Sequence, residues 1–294
     1  MKILLTGAGG QLGQALREAL SDRVELDARD RATLDLVDAQ AVQAVLAQSR
    51  PDVVINAAAF THVDQAETAA QQAALINHLG AGALARQCAV NGARLIHIST
   101  DFVFDGRQGS PYTPQCETHP LNVYGETKRL GELAVLEALP GSAAIIRTAW
   151  LYSHRGNNFV TKMLGFMRAG RDLRVVTDQI GTPTSVDGLV GLIEQMVFNP
   201  PRQSVYHWTD AGVASWYDFA CAIQEEALAA SLLDAPVSIL PIPASDYPTP
   251  AVRPAYSVLD KSATYQEYGT PQVHWRSMLR QAMQRMSHQE NSFA

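Results

Sequence analysis

The first twenty residues hold the feature that most restricts the fold. In "KILLTGAGGQLGQALREAL" an apolar run passes into a glycine cluster and then into leucines spaced four apart, Leu12, Leu16 and Leu20. That pattern reads as a strand, a tight turn and a helix with one apolar face. Gly7, Gly10 and Gly13 fall at G-x-x-G-x-x-G spacing across the turn. Glycines there let the backbone come close to a pyrophosphate, which the free N–H groups and dipole of a helix N-terminus attract. A bare turn, or a fold that binds a methyl donor, uses glycines in the same way, so the motif gains its meaning from the rest of the chain.

Beyond residue 20 the same unit repeats. Strands are expected at 24–28, from 52, from 94 and from 143, with helices from about Asp38, through "AALINHLGAGALARQCAV" and through "NVYGETKRLGE". Strands that alternate with helices make parallel βαβ units, because a parallel neighbour needs a long crossover. "DVVIN" and "AAIIR" are apolar on both faces, as a sheet covered on both sides requires. The expected fold class is α/β: a doubly wound parallel sheet of the Rossmann type with a smaller C-terminal substrate-binding domain. The expected division is a dinucleotide-binding domain over 1–150, to which 178–210 returns, with 151–294 forming mainly the substrate-binding domain. "LPIPASDYPTPAVRPAYS" contains Pro241, Pro243, Pro248, Pro250 and Pro254 and is expected to be a long ordered loop, since proline lacks the donor that a helix or sheet interior needs.

In such a sheet an acidic residue after the second strand binds the adenosine ribose. Asp30 stands there and Arg31 is next to it; the aspartate suits NAD and the arginine suits the 2'-phosphate of NADP, so NADPH or NADH is expected. A solvated loop end is the plainer reading of "RDR". The coenzyme site is expected to take Gly7, Gly10, Gln11, Leu12 and Gly13 from the first turn, and Asp30, Arg31, Asp35 and Leu36 from the segment after the second strand. Ala57, Ala58 and Ala59 after the third strand complete it.

Composition excludes several classes. The apolar run after Met1-Lys2 is too short for a signal peptide or a membrane span, which leads to the expectation of a cytoplasmic protein. A net charge of -6 with no basic block argues against nucleic acid as the partner. Cys88, Cys116 and Cys221 are far apart and odd in number, and the histidines lack ligand spacing, so neither a disulfide framework nor a metal site is expected. His97, between two isoleucines, reads as a strand residue with a satisfied ring.

Tyr124 and Lys128 lie four apart on a helix and so share a face. With Thr100 at the end of the strand from 94, all three reach the carboxyl edge of the sheet, where such folds bind ligands. The glycine turn, Ser99-Thr100 and Y-x-x-x-K together resemble the extended short-chain dehydrogenase/reductase family. "NAAAFTHVDQAE", "STDFVFDG", "RTAWLY", "GNNF", "DQIGTPTS" and "YPTPAVRP" extend the resemblance, to about residue 260, to its branch that reduces a 4-keto-6-deoxy sugar carried on dTDP. The resemblance implies hydride transfer from NADPH or NADH to C4, the closing step in the synthesis of dTDP-L-rhamnose. It implies that Tyr124 delivers the proton, that Lys128 stabilises the phenolate and bonds the nicotinamide ribose, and that Thr100 orients the ketone. Asp101, Phe102, Trp150, Asn158 and Arg253 are the other expected substrate contacts, with Arg253 on the diphosphate.

Two departures from relatives bear on this. In family dehydratases Asp-Glu comes directly after the threonine; Asp101-Phe102 lacks the second carboxylate, which favours simple reduction. Some relatives bridge a homodimer through Mg2+ held by a glutamate in the first helix. Here Ala15 stands at that place and Asp187 alone makes a poor octahedral site, so Mg2+ is not expected. Two other readings stay open: a non-catalytic NADP-binding regulatory subunit, and an epimerase or reductase of another nucleotide sugar.

Overall fold

The computed structural model describes residues 1–292. Its centre is a six-stranded sheet, parallel throughout. Strands β1 (Lys2–Thr6), β2 (Glu25–Arg29), β3 (Val53–Asn56), β4 (Arg94–Thr100) and β5 (Ala143–Thr148) are joined at the far edge by Val205–His207. The spatial order is β2-β1-β3-β4-β5 and then 205–207. Helix α1 (Gln11–Leu20) leads from β1 outward to β2, and α2 (Ala39–Ser49) leads back across to β3. The winding reverses between β1 and β3, which opens a crevice at their carboxyl ends.

Alternation along the strands builds two cores. Ile3 and Leu5 of β1 point to the face covered by Leu12, Leu16 and Leu20 of α1 and by Leu189, Ile193 and Met196 of helix Val186–Phe198. Leu4 points to the other face, with Val42 and Leu46 of α2, Leu84 and Cys88 of helix Ala81–Asn91, and Val135 of helix Val123–Ala138. A third cluster is built only from later residues: Tyr152, Val160, Leu164, Phe219, Ile223, Leu279 and Met283, among others. It lies between helices Phe159–Arg168, Trp216–Ala229 and Trp275–Ser292.

Three local features differ from the sequence expectation. The helix expected through residues 73–90 contains a wide π turn, Leu75–Gly80, which lets the Asn77 side chain turn inward and bond both backbone groups of Phe60. Pro241 is not in a loop: strand Ile239–Ile242 pairs in parallel with Leu173–Val176. A two-stranded ribbon has a free edge on each strand, so a missing donor is tolerated there. The second strand begins one residue later than its apolar pattern suggests.

Candidate active site

A cleft of about 1150 Å³ runs along the carboxyl edge of the sheet from the glycine turn to Trp216. At one end, Gly7 takes the left-handed φ of 73° and passes so close to β3 that a Cβ would lie 2.5 Å from the Ala58 nitrogen. A Cβ on Gly13 would lie 2.1 Å from the Gly7 carbonyl oxygen, so α1 can seat against the turn only with glycine there. The helices beginning at Ala39, Val123, Phe159, Val186 and Trp216 are capped by the side chains of Asp38, Asn122, Asn158, Ser185 and Ser215. Helix α1 follows Gly10 with no side-chain cap, and the backbone N–H groups of its first turn belong to Gln11, Leu12 and Gly13, which line the cleft. An anion such as a pyrophosphate fits that set of donors.

Asp30, Arg31, Asp35 and Leu36 line the same end, with Ala57, Ala58 and Ala59 opposite. Asp30 is fully exposed and accepts from the Thr33 amide at 3.0 Å and its hydroxyl at 2.9 Å; these bonds hold its carboxyl below the usual range. Arg31 is loosely paired with Asp35 at 3.5 Å and is mostly exposed, free to turn toward a ligand. Gln11 donates its side-chain amide to the Leu151 carbonyl and ties the turn to the far wall.

Thr100, Tyr124 and Lys128 meet in the middle of the cleft. Helix Val123–Ala138 that carries the last two is held close to the sheet. Gly125 lies so near the Phe102 carbonyl that a Cβ would come within 2.2 Å, and Gly131 lies as near Asn77. Deeper, Glu132 and Arg147 form a buried ion pair, Nη2 to Oε2 2.7 Å and Nε to Oε1 3.0 Å, and Ser99 donates to the same carboxylate.

The electrostatics differ from the expectation that an ammonium beside the phenol lowers its pKa. Burial pushes Tyr124 up to about 12, with a hydrogen bond to Thr100 opposing. Burial pushes Lys128 down to about 8. The Lys128 Nζ donates to the Ile98 carbonyl at 2.6 Å and lies 3.4 Å from His97 Nε2, so its hydrogen bonds go to β4. Asp101 is buried and desolvation raises it to about 6, against hydrogen bonds from Ser257 and Thr100.

Aromatic rings form the far wall. Phe102 meets Tyr124 edge to face, with ring centroids 5.8 Å apart, and Trp150 stacks on Trp216 at 3.5 Å. Trp150 sits at φ 47°, a strained backbone for a bulky residue. Close packing against Gly181 holds it there, since a Cβ on that glycine would lie 2.7 Å from the indole.

Two expected substrate contacts sit differently. Asn158 is not among the residues that line the cleft: it caps helix Phe159–Arg168 and donates to the carbonyls of Ser153 and Arg155 and, at 3.5 Å, to the side chain of Gln11, which does line it. Its neighbour Asn157 lines the cleft instead. Arg253 does line the cleft, but its guanidinium fork is taken by Asp64 at 2.8 and 3.0 Å, which pins the proline-rich segment to helix Val63–Ala66. Trp216, His62, Gln65 and Arg155 also line the cleft, outside the expected set. Of these, His62 and Gln65 lie inside a quoted motif, whereas Trp216 carries no local signal.

Among the described residues no group of three or more His, Cys, Asp or Glu is placed to hold a metal, and no helix is long and apolar enough to cross a membrane. Ala15 packs beside the first core cluster, and Asp187 pairs with Arg285 at 2.7 Å.

A parallel doubly wound sheet, a glycine turn at an uncapped helix and Thr100, Tyr124 and Lys128 in one cleft define a short-chain dehydrogenase/reductase. Within that class, residues 1–288 match the family described as RmlD substrate binding domain, and the chain belongs to that family. It is 39% identical to a dTDP-4-dehydrorhamnose reductase of Aggregatibacter actinomycetemcomitans, over 95% of this chain and 97% of the relative. It is 40% identical to a dTDP-4-keto-6-deoxy-D-glucose reductase of Streptomyces niveus, over 95% of each. A crystal structure of dTDP-4-dehydrorhamnose reductase from Bacillus anthracis in complex with NADP superposes with a TM-score of 0.89 at 33% identity, covering 98% of this chain and 99% of that one.

Proposed function

We propose that this chain is an NAD(P)H-dependent nucleotide-sugar 4-ketoreductase that converts dTDP-4-dehydro-L-rhamnose to dTDP-L-rhamnose, the last step in making that sugar nucleotide. One observation carries the reading: a single cleft joins an uncapped helix N-terminus, fit for a pyrophosphate, to a buried phenol and hydroxyl fit for a ketone. NADPH or NADH bound along β1 and β3 supplies the hydride. Gly7, Gly10 and Gly13 leave room for its diphosphate, and Asp30 and Arg31 meet the adenosine ribose.

The protein's share is proton delivery and orientation. Tyr124, held protonated by burial, donates from its phenol oxygen to the sugar O4 as the C4–O4 double bond becomes single, and takes a proton back from solvent. Thr100 holds the ketone oxygen by a hydrogen bond. Lys128 fixes the coenzyme ribose from the sheet side. The aromatic wall of Phe102, Trp150 and Trp216 excludes water and presents flat surfaces to the sugar and base. On this reading the third core cluster is the substrate-binding part, and Arg253 acts by pinning the loop over it. The enzyme works in the cytoplasm.

The Streptomyces niveus relative makes dTDP-4-keto-6-deoxy-D-glucose the natural comparison substrate, since its ketone is also at C4. The test is loss of nicotinamide absorbance with each of the two dTDP-4-keto sugars and with NADPH or NADH. Turnover of the L-rhamnose precursor at the higher kcat/KM is expected. Coenzyme binding with no turnover of either sugar would support a regulatory subunit instead, and retention of tightly bound NAD through purification would support an epimerase.

A further inference from the structure

His97 stands on β4 with both ring nitrogens engaged, and the identity of its partners fixes which one carries hydrogen. Thr6 Oγ1 donates to Asn56 Oδ1 at 2.8 Å, and the Ala58 amide donates to the same oxygen at 3.1 Å. A backbone amide can only donate, so the side-chain orientation of Asn56 is set: its oxygen faces Ala58 and its NH2 faces His97. The Asn56 Nδ2 to His97 Nδ1 distance is 2.9 Å, which requires a lone pair on Nδ1. A neutral imidazole then carries its hydrogen on Nε2, and Nε2 lies 3.4 Å from Lys128 Nζ. An ammonium at Nζ would set donor against donor. A free amine would accept from Nε2–H and still donate to the Ile98 carbonyl at 2.6 Å.

We propose that Asn56 and His97 are positioning residues that set the proton affinity of Lys128: the asparagine dictates the histidine tautomer, and the tautomer turns an N–H toward the lysine. Lys128 then changes charge in the neutral range instead of remaining a fixed cation beside the coenzyme. Its low proton affinity, about 8 under burial, agrees with this, as does a His97 held well below its ordinary range by burial and by Lys128. The other groups facing Lys128 do not reverse it. Glu132, one turn on, favours the ammonium, but its carboxylate is committed to Arg147 and Ser99. Tyr124, one turn back, is neutral below about 12, and Asp101 lies beyond Thr100 with its carboxyl raised to about 6. The inference rests on the reductase reading only in giving Lys128 a coenzyme to serve; the tautomer argument stands without it.

Two measurements on the full chain test it, both without substrate, so that absence of ketoreductase turnover leaves them intact. Long-range proton–nitrogen correlation of the imidazoles, with His97 assigned by its loss in His97→Gln, reads the tautomer directly. Hydrogen on Nε2 is expected, and hydrogen on Nδ1 overturns the proposal with no need of an Asn56 variant. Labelling Cε of the lysines, which are only Lys2, Lys128, Lys162 and Lys261, gives the Lys128 titration, assigned by Lys128→Met. In Asn56→Asp the new acceptor should move the His97 hydrogen to Nδ1 and raise the Lys128 titration by about one pH unit or more. If the lysine shifts while the tautomer stays, the added charge alone is responsible and the relay is wrong. NADPH-loaded protein should keep the wild-type tautomer, because Asn56 and Ala58 do not change.

Discussion

The helix that carries Tyr124 and Lys128 is fastened to the sheet by Glu132 and Arg147, whose side chains are only 4% and 6% exposed. Arg147 gives Glu132 three hydrogen bonds, reaches the Pro114 carbonyl at 3.3 Å and lies over the Phe104 ring at 5.2 Å. In Arg147→Met the carboxylate stays buried with Ser99 as its remaining donor. Stranding a buried charge in this way costs about 3–5 kcal/mol. At roughly 2–4 °C per kcal/mol for a large domain, the Tm should drop by about 10 °C. The double variant Arg147→Met with Glu132→Leu strands nothing and should lie within about 1–2 kcal/mol of the parent. Urea unfolding monitored by circular dichroism, with a common slope for all four proteins, measures the cycle. A single variant costing less than about 1 kcal/mol, or a double variant as unstable as the two singles combined, would show that the pair is solvated or replaceable and that the helix is held by its glycine contacts instead.

Tyr124→Phe should lower kcat by about 10²–10⁴-fold and leave the NADPH Kd within twofold, and an equal loss of both would make the tyrosine structural. Arg31→Ala should weaken NADPH by about tenfold and NADH hardly at all, in keeping with one exposed charge-assisted contact to a 2'-phosphate; an unchanged ratio by fluorescence titration removes Arg31 from the site. For Asp101 the folded carboxyl titrates at about 6 against 3.8 unfolded, so the folded state binds the extra proton and stability falls as pH rises from 3.8 to 6. Asp101→Asn should therefore gain about 2–3 kcal/mol at pH 7.5 and nothing at pH 3.5, with Tm against pH as the readout. Trp216→Ala removes the ring that stacks on Trp150 at 3.5 Å, and KM for the dTDP-sugar should rise about tenfold with coenzyme affinity intact.

Some of this is legible in the sequence because the residues have a single local reason to be there. Gly7 and Gly13 announce a close backbone approach whatever lies elsewhere, and the leucines of α1 announce its buried face. Tyr124 and Lys128 declare a shared face by spacing alone. What stays hidden depends on partners distant in the chain. Arg253 looks like a phosphate ligand because nothing near it in sequence shows that Asp64, 189 residues away, will occupy its fork. Asn158 reads as a substrate contact because its cap role appears only once a helix starts beside it. The depressed phenol expected of Tyr124 assumes that a lysine one turn away faces it, whereas β4 offers that lysine a carbonyl and an imidazole. His97 reads as satisfied, but its partners on β3 and on helix Val123–Ala138 cannot be named from β4 alone.

The order of the sheet has a consequence for biosynthesis. The last strand, Val205–His207, pairs with β5, yet the chain leaves the sheet after Thr148 and forms helices Phe159–Arg168 and Val186–Phe198 before it returns. On the ribosome, at ~5–20 residues/s, β5 therefore waits on the order of 3–10 s with Ile145 and Ile146 on an unpaired edge. For that interval the nascent chain displays an apolar strand of the kind that other chains add to. The glycine turn, Thr100, Tyr124 and Lys128 are by then all synthesised, so the residues of the site precede the strand that closes the sheet edge.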